Sequence, residues 1–168
     1  GFEILYLTDN VDEFALKMLM NYKEKEFKNV SSDDLGIENT EKQEEVKAKE
    51  EENADMLKSM ADFLGESVSK VVLSKRLKSH PVCISSEGEI TLEMEKVLNS
   101  MPGDQKVKAQ RVLEINPDHE IFGKLTAVSS DSEKLGKYAK LLYTQALLIE
   151  GMPVENPVEF SNLICELM

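Results

Sequence analysis

Apolar positions change their period several times along the chain, and each change marks an element. Residues 2–7 (Phe2-Glu3-Ile4-Leu5-Tyr6-Leu7) are a nearly continuous apolar run closed by Thr8-Asp9-Asn10, the pattern of a buried strand. Val11, Phe14, Ala15, Met18, Leu19 and Tyr22 then recur at helical spacing. Asp9 or Asn10 is positioned to cap that helix, and Asp12 and Glu13 fall at the positive end of its dipole. A second short strand is expected over residues 27–31. Strand, helix and strand in about 30 residues is the size of a βαβ unit, read here as the tail of an α/β element. Such a piece is too small to fold alone, and its apolar opening strand needs neighbours that the chain does not supply upstream. The chain is therefore expected to be a segment of a longer protein. Residues 32–40 are polar and carry Gly36, which sets the expected domain boundary between residues 37 and 38.

Beyond that boundary, Thr40-Glu41-Lys42-Gln43 matches a capping box, and the helix it opens is expected to reach Leu64, with Gly65 as its stop. Its first half, residues 41–52, holds six Glu against three Lys and reads as solvated. The apolar face begins only at Met56, Leu57, Met60, Phe63 and Leu64. Strands are expected over 68–73, 82–85 and 109–115, the last placing Ala109, Arg111, Leu113 and Ile115 on one face. Between the second and third strands lies an amphipathic segment, 90–101, ended by Pro102-Gly103. Asn116-Pro117-Asp118-His119 signals a short helix through Leu125, with Asn116 as cap and Pro117 just inside it.

The end of the chain reads as a helical hairpin. A helix from Glu133 carries Leu135, Tyr138, Ala139, Leu141, Leu142, Ala146, Leu148 and Ile149 before Gly151-Met152-Pro153. Asn156-Pro157-Val158-Glu159 caps a last helix with Phe160, Leu163, Ile164 and Leu167 along one face. The longer helix is apolar over more than half its circumference, so it must be covered on several sides. Either the body of the same chain fills the remaining stripe, or a second copy does so in a four-helix bundle with twofold symmetry. Periodicity alone leaves both open. The fold class expected is α+β: the end of an α/β unit, then a mixed domain with a three-stranded sheet and a terminal hairpin.

Composition narrows the function. With 20 basic and 32 acidic side chains the formal charge is −12, which disfavours nucleic acid and anionic membranes as partners. Apolar residues make up 41% of the chain, too many for general disorder, and no run approaches the roughly 18 residues of a membrane span. Two cysteines, Cys83 and Cys165, cannot build a disulfide framework and fit a reducing, cytoplasmic setting. There is no Gly-rich phosphate loop, nucleophile elbow or paired-Cys zinc spacing. His80 and Cys83 with His119 and Cys165 make a formal Cys₂His₂ set that nothing in their spacing demands. The acidic residues fall at caps and on wet faces, with no general acid/base pair among them. The residues thus describe a non-catalytic interaction module, without cofactor or metal.

Several segments also carry a family likeness. Gly1-Phe2-Glu3-Ile4-Leu5-Tyr6-Leu7-Thr8-Asp9 with Val11-Asp12-Glu13-Phe14 resembles the late middle-domain segment of the heat-shock protein 90 chaperones. Val68-Ser69-Lys70-Val71-Val72-Leu73-Ser74-Lys75-Arg76-Leu77 with Pro81-Val82 is similar to strands of their C-terminal domain. Leu113-Glu114-Ile115-Asn116-Pro117-Asp118-His119 and Leu141-Leu142-Tyr143-Thr144-Gln145-Ala146-Leu147-Leu148 resemble two further signatures, in family order. The likeness covers essentially the whole chain. No acidic Met-Glu-Glu-Val-Asp tail follows Met168, so the chain resembles the bacterial branch, and tetratricopeptide cochaperones are not expected partners.

The resemblance implies one part of an ATP-driven homodimeric chaperone of the cytoplasm. The sites for ATP and magnesium, and the catalytic arginine, belong to family segments this chain does not match, so the fragment itself is expected to be no enzyme. It implies a dimer contact built by the terminal hairpin: Leu135, Tyr138, Leu141, Leu142, Leu148, Ile149, Phe160, Leu163, Ile164 and Leu167. It implies binding of unfolded clients by the segment between the second and third strands, through Ile90, Met94, Val97, Leu98 and Met101, with Phe14 as a further candidate. Met and Leu suit recognition of varied apolar sequences because thioethers repack easily. Eukaryotic relatives carry a Trp-containing version of this segment, whereas this chain has no Trp. The alternative from another class is a cytosolic scaffold with no client role.

Overall fold

A computed structural model of the chain describes residues 3–9, 11–30, 40–102 and 106–167, without the side chains of Thr40 and Glu41. The expected boundary at 37–38 and the capping role of the Thr40 side chain lie outside what is described. Among the described residues there are seven α-helices and two small sheets, a mixed α+β fold.

The first unit differs from the expected βαβ. Residues 3–8 form no strand, and Ile4, Leu5, Tyr6 and Leu7 are exposed, because no described strand lies beside them to complete a ladder. Helix α1 (Asp12–Leu19) has no side-chain cap: the preceding residue is Val11. Asp12 instead reaches back, its carboxylate accepting the Thr8 and Asp9 amides at 3.0 and 3.1 Å. Nor is there a strand over the described residues of 27–31. A tight hairpin forms earlier, pairing β1 (Asn21–Tyr22) with β2 (Lys25–Glu26). Its turn residues Lys23 and Glu24 have φ of 49° and 64°, the conformation such two-residue loops require. Asn-Gly or Asp-Gly would have announced that turn; Lys-Glu does not.

The expected long helix is two, α2 (Thr40–Glu52) and α3 (Ala54–Leu64), broken at Asn53. Asn53 Nδ2 donates to the Lys49 carbonyl at 2.8 Å, side-chain competition with the helical ladder of the kind that ends a helix. The front half is not entirely wet, since Val46 is buried in the core. A single glycine explains how closely the next layer packs: Gly136 lies under the ring of Phe63, where a Cβ would come within 2.2 Å.

The second sheet holds β3 (Lys70–Leu73), β4 (Val82–Glu87) and β5 (Gln110–Ile115) in the order β3-β5-β4. β5 is central, parallel to β3 and antiparallel to β4. Register aligns Val71 with Leu113 and Leu113 with Ile84, and likewise Leu73, Ile115 and Val82. These residues form one face. They are buried in a single cluster with Met56, Leu57 and Met60 of α3, and with Leu135, Tyr138 and Leu142 of α6 (Ser132–Ile149). The opposite face carries Val72, Cys83 and Glu114.

Helix α4 (Leu92–Ser100) fills the connection between β4 and β5. Helix α5 (Glu120–Ala127) follows β5, but its cap is His119, whose Nδ1 accepts the Ile121 amide at 3.1 Å, and not Asn116. Asn116 is fully buried and serves another purpose. Its Nδ2 donates to the Lys78 and His80 carbonyls at 3.2 and 2.9 Å, and its Oδ1 accepts the Asp118 amide at 3.0 Å. It thereby locks the loop before β4 to the loop after β5. Helix α7 (Pro157–Leu167) closes the described chain, with Asn156 Oδ1 accepting the Glu159 amide at 3.1 Å as the Asn-Pro-x-Glu pattern predicts. Lys140–Glu159 and Lys137–Glu166, both at 2.5 Å, join α7 to α6.

Asn116→Ala removes a fully buried side chain and unties the Lys78 and His80 carbonyls and the Asp118 amide that it holds. It is expected to lower the urea-unfolding free energy by about 2–3 kcal/mol, at the upper end for one buried polar group because several bonds are lost together.

Candidate functional site

The segment 90–101 becomes helix α4, and its position is set by its polar residues. Thr91 caps it, Oγ1 accepting the Met94 amide at 3.2 Å. Glu95 is 5% exposed and points into the body. Its Oε2 accepts the Ala109 amide at 2.9 Å, and its Oε1 accepts Arg111 Nη2 at 2.5 Å. Arg111 donates in turn to the Tyr143 hydroxyl at 2.7 Å. Burial works against the Arg111 charge, but the bonds to Tyr143 and Glu95 outweigh it and raise its pKa. Helix α4, strand β5 and helix α6 thus meet at one guanidinium. Lys96 adds a further tie, donating to the Glu150 carbonyl at 2.6 Å just past α6.

With Leu92 and Glu95 inward, Ile90, Met94, Val97 and Leu98 are half-buried and Met101 is 56% exposed. Phe14, on α1, is half-buried. The fold brings α1 beside the start of α4: Glu13 accepts the Thr91 hydroxyl at 2.7 Å, and Lys17 Nζ lies 3.2 Å from the Met94 sulfur. The six residues expected from the resemblance to contact clients therefore occupy two adjoining helices and their edges.

The hairpin residues divide. Leu135, Tyr138, Leu142 and Leu163 are buried within the chain itself. Leu141, Phe160, Ile164 and Leu167 are half-buried, and Leu167 packs against the main core. Leu148 and Ile149 are 49% exposed each, and Val158 is 70% exposed. Much of the apolar circumference of α6 is consequently taken up by α3 and the sheet, leaving its C-terminal end and the outer side of α7 open.

On the reverse face of the sheet, Arg76 grips Glu114 with two bonds, Nη2–Oε1 at 2.8 Å and Nε–Oε2 at 3.2 Å. Ser74 Oγ donates to the same carboxylate at 2.8 Å, and Arg76 Nη1 donates to the Val30 carbonyl at 2.7 Å. Cys83 lies beside this pair. Burial and the Glu114 charge push its thiol up to about 12, against the opposing pull of Arg76. A thiol held neutral in this way is a poor nucleophile and a poor metal ligand. Among the described residues no cluster of three His, Cys, Asp or Glu side chains is placed to hold a metal ion, and no helix is long and apolar enough to cross a membrane.

Glu95, Thr91 and Glu13 are not recognisable as site-forming from helical period, which places Glu95 on the polar side of α4. Arg111 is the available signal. A cation on the core face of an apolar strand requires a buried acid, and the adjoining amphipathic helix is the nearest source.

The whole chain, residues 1–168, matches the family model described as Hsp90 protein. The chain belongs to the Hsp90 family. Among curated proteins it is similar to the chaperone protein HtpG of Clostridium perfringens strain 13, at 59% identity. HtpG of Bacillus velezensis is 57% identical and that of Bacillus subtilis strain 168 is 56% identical. In each case the alignment covers 100% of this chain and 27% of the relative, so this Hsp90-family chain spans about a quarter of the length of those proteins.

Arg111→Met removes the partner of a buried carboxylate and is expected to cost about 3–5 kcal/mol in urea unfolding, while Glu95→Leu combined with Arg111→Met costs less than Arg111→Met alone. In the folded chain iodoacetamide is expected to alkylate the exposed Cys165 and spare Cys83 at mildly alkaline pH, as read by peptide mass. Because the native state keeps the Cys83 proton that the unfolded state releases, this thiol's contribution to stability falls as pH rises from about 9 towards about 12.

Proposed function

We propose that this chain is the dimerising and client-holding portion of an ATP-driven molecular chaperone of the cytoplasm, acting in protein folding and the stress response. The observation that carries the reading is the alignment of the entire chain, at 56–59% identity, with chaperones named HtpG. Residues 1–37 are the end of the middle domain, and 38–168 are the C-terminal dimerisation domain. The nucleotide and its magnesium bind in segments of the full-length protein outside this chain. The charge of −12 argues for protein partners over nucleic acid or membranes.

The dimer seam consists of the exposed end of α6 and the outer side of α7, with Leu148, Ile149 and Val158 at its centre and Leu141, Phe160 and Ile164 at its margin. Leu135, Tyr138, Leu142 and Leu163 support it from within the hairpin. Two such hairpins packed about a twofold axis make a four-helix bundle. Each apolar residue fully buried adds about 1.5–3 kcal/mol, and symmetry counts each residue twice. Clients dock on the outer side of α4 and the adjacent turn of α1, where Met94, Leu98, Met101 and Phe14 offer adaptable apolar contact.

Sedimentation at several concentrations, with an aggregation assay beside it, tests both halves. The parent chain is expected to be a dimer at micromolar concentration, and Leu148→Asp with Ile149→Asp to be monomeric. Met94→Asp with Leu98→Asp is expected to remain dimeric while suppressing aggregation of a denatured model protein less effectively. A strictly monomeric parent chain, or undiminished suppression by the second variant, contradicts the corresponding half.

A further inference from the structure

The junction between α1 and the start of α4 holds a device that the proposed function leaves unused. Thr91 is 6% exposed, and its single hydroxyl serves two helices. As an acceptor it takes the Met94 amide at 3.2 Å and so caps α4. As a donor it gives its own proton to Glu13 Oε2 at 2.7 Å. A hydroxyl has one hydrogen, so the bond to Glu13 fixes its rotor with the lone pairs turned toward the helix. Glu13 is itself positioned, its Oε1 accepting Asn29 Nδ2 at 3.1 Å. One turn further along α1, Lys17 Nζ donates to the Glu89 carbonyl just ahead of the cap and covers the Met94 sulfur.

Helix α1 has no buried residue. The polar part of its hold on α4 runs through a half-buried carboxylate and an exposed ammonium. Such contacts are individually weak and reversible, unlike the apolar packing that fixes α3 and α6. A polar latch of this kind sits directly over one of the residues assigned to clients.

We propose that Glu13 and Thr91 are positioning residues that couple α1 to α4, so that release of α1 uncovers Met94 and loosens the first turn of α4. The inference concerns regulation of the α4 face and rests on the client-holding reading for its biological meaning. The coupling itself does not depend on that reading.

Amide hydrogen exchange and the rate at which peroxide oxidises Met94 test it in the whole chain. Glu13→Ala is expected to speed exchange of the Met94 and Glu95 amides roughly fivefold, the worth of a weakened N-cap, and to speed Met94 oxidation in parallel. Glu13→Gln keeps an acceptor for the hydroxyl and is expected to behave as the parent. Thr91→Asp keeps a capping acceptor but sets two carboxylates against each other. It is expected to leave the α4 amides protected while those of α1 exchange faster. If Glu13→Ala changes neither exchange at Met94 nor its oxidation, the coupling is overturned. It is equally overturned if Thr91→Asp leaves α1 as protected as in the parent. If exchange and oxidation change as expected while suppression of client aggregation does not, the coupling stands and the assignment of α4 to clients fails.

Discussion

A buried positive charge in the central strand organises this fold. Arg111 lies on the face of β5 that also carries Leu113 and Ile115, and an unpaired guanidinium there would cost several kcal/mol. Glu95 must therefore come in from α4 and Tyr143 from α6, and each arrives with its helix. The orientation of α4 follows: once Glu95 and Leu92 face inward, Met94, Val97, Leu98 and Met101 are left at or near the surface. A helix held by apolar packing alone would turn that side in. The buried ion pair is thus what keeps a greasy helix face available on a folded domain.

Two kinds of adhesion coexist in the chain. Helices α3 and α6 are fixed to the sheet by a continuous apolar cluster in which Met60, Leu113, Ile115, Leu125 and Ala139 are fully buried. The front unit, residues 11–30, has no residue in that cluster and is attached by Arg76 to Val30, Glu13 to Thr91 and Lys17 to Glu89. Apolar packing resists rotation because cores repack in discrete steps. Hydrogen bonds at an accessible surface exchange readily with water. The chain is therefore stiff within its sheet and helices and compliant where the front unit joins them.

What can be read from residues alone follows the same division. The strands 70–73, 82–87 and 110–115, the inward face of β5, and the α6–α7 hairpin with its Asn156 cap are legible because each is a strong local period bounded by clear stop signals. The likeness to heat-shock protein 90 is legible because four separate motifs fall in family order. The expected βαβ is not realised, because residues 3–8 carry a strand pattern whose pairing partner is not among the described residues, and a strand is a property of a pair. The Lys23-Glu24 turn carries a weak signal of its own. The break at Asn53 and the cap at His119 each compete with a better-known signal nearby, helix continuity in one case and Asn-Pro in the other. Glu95 and Thr91 are invisible as anchors because helical period sorts polar residues outward by default. The demand of Arg111 reverses that for Glu95, and Glu13, distant in sequence, does so for Thr91.

The same division of forces bears on the apolar faces that the chain leaves exposed. Leu148, Ile149 and Val158 are exposed on the hairpin, and Met101 is exposed on the α4 segment beside a half-buried Met94 and Leu98. Were these patches free to meet at random, heterologous contacts would extend into filaments. Two features oppose this. The charge of −12 opposes every approach of a second copy, so that only a contact with a large apolar gain overcomes it, and the twofold pairing of hairpins proposed above is closed, consuming its own patch. At the α4 face Glu13 and Lys17 place one charge of each sign directly beside the apolar side chains. Opposite charges at that rim cancel at long range, so the overall charge of −12, and not the rim, is what sets a second copy of this chain apart from a less acidic polypeptide there. On the proposed client-holding reading, selectivity for non-self chains then needs only the difference in repulsion between them.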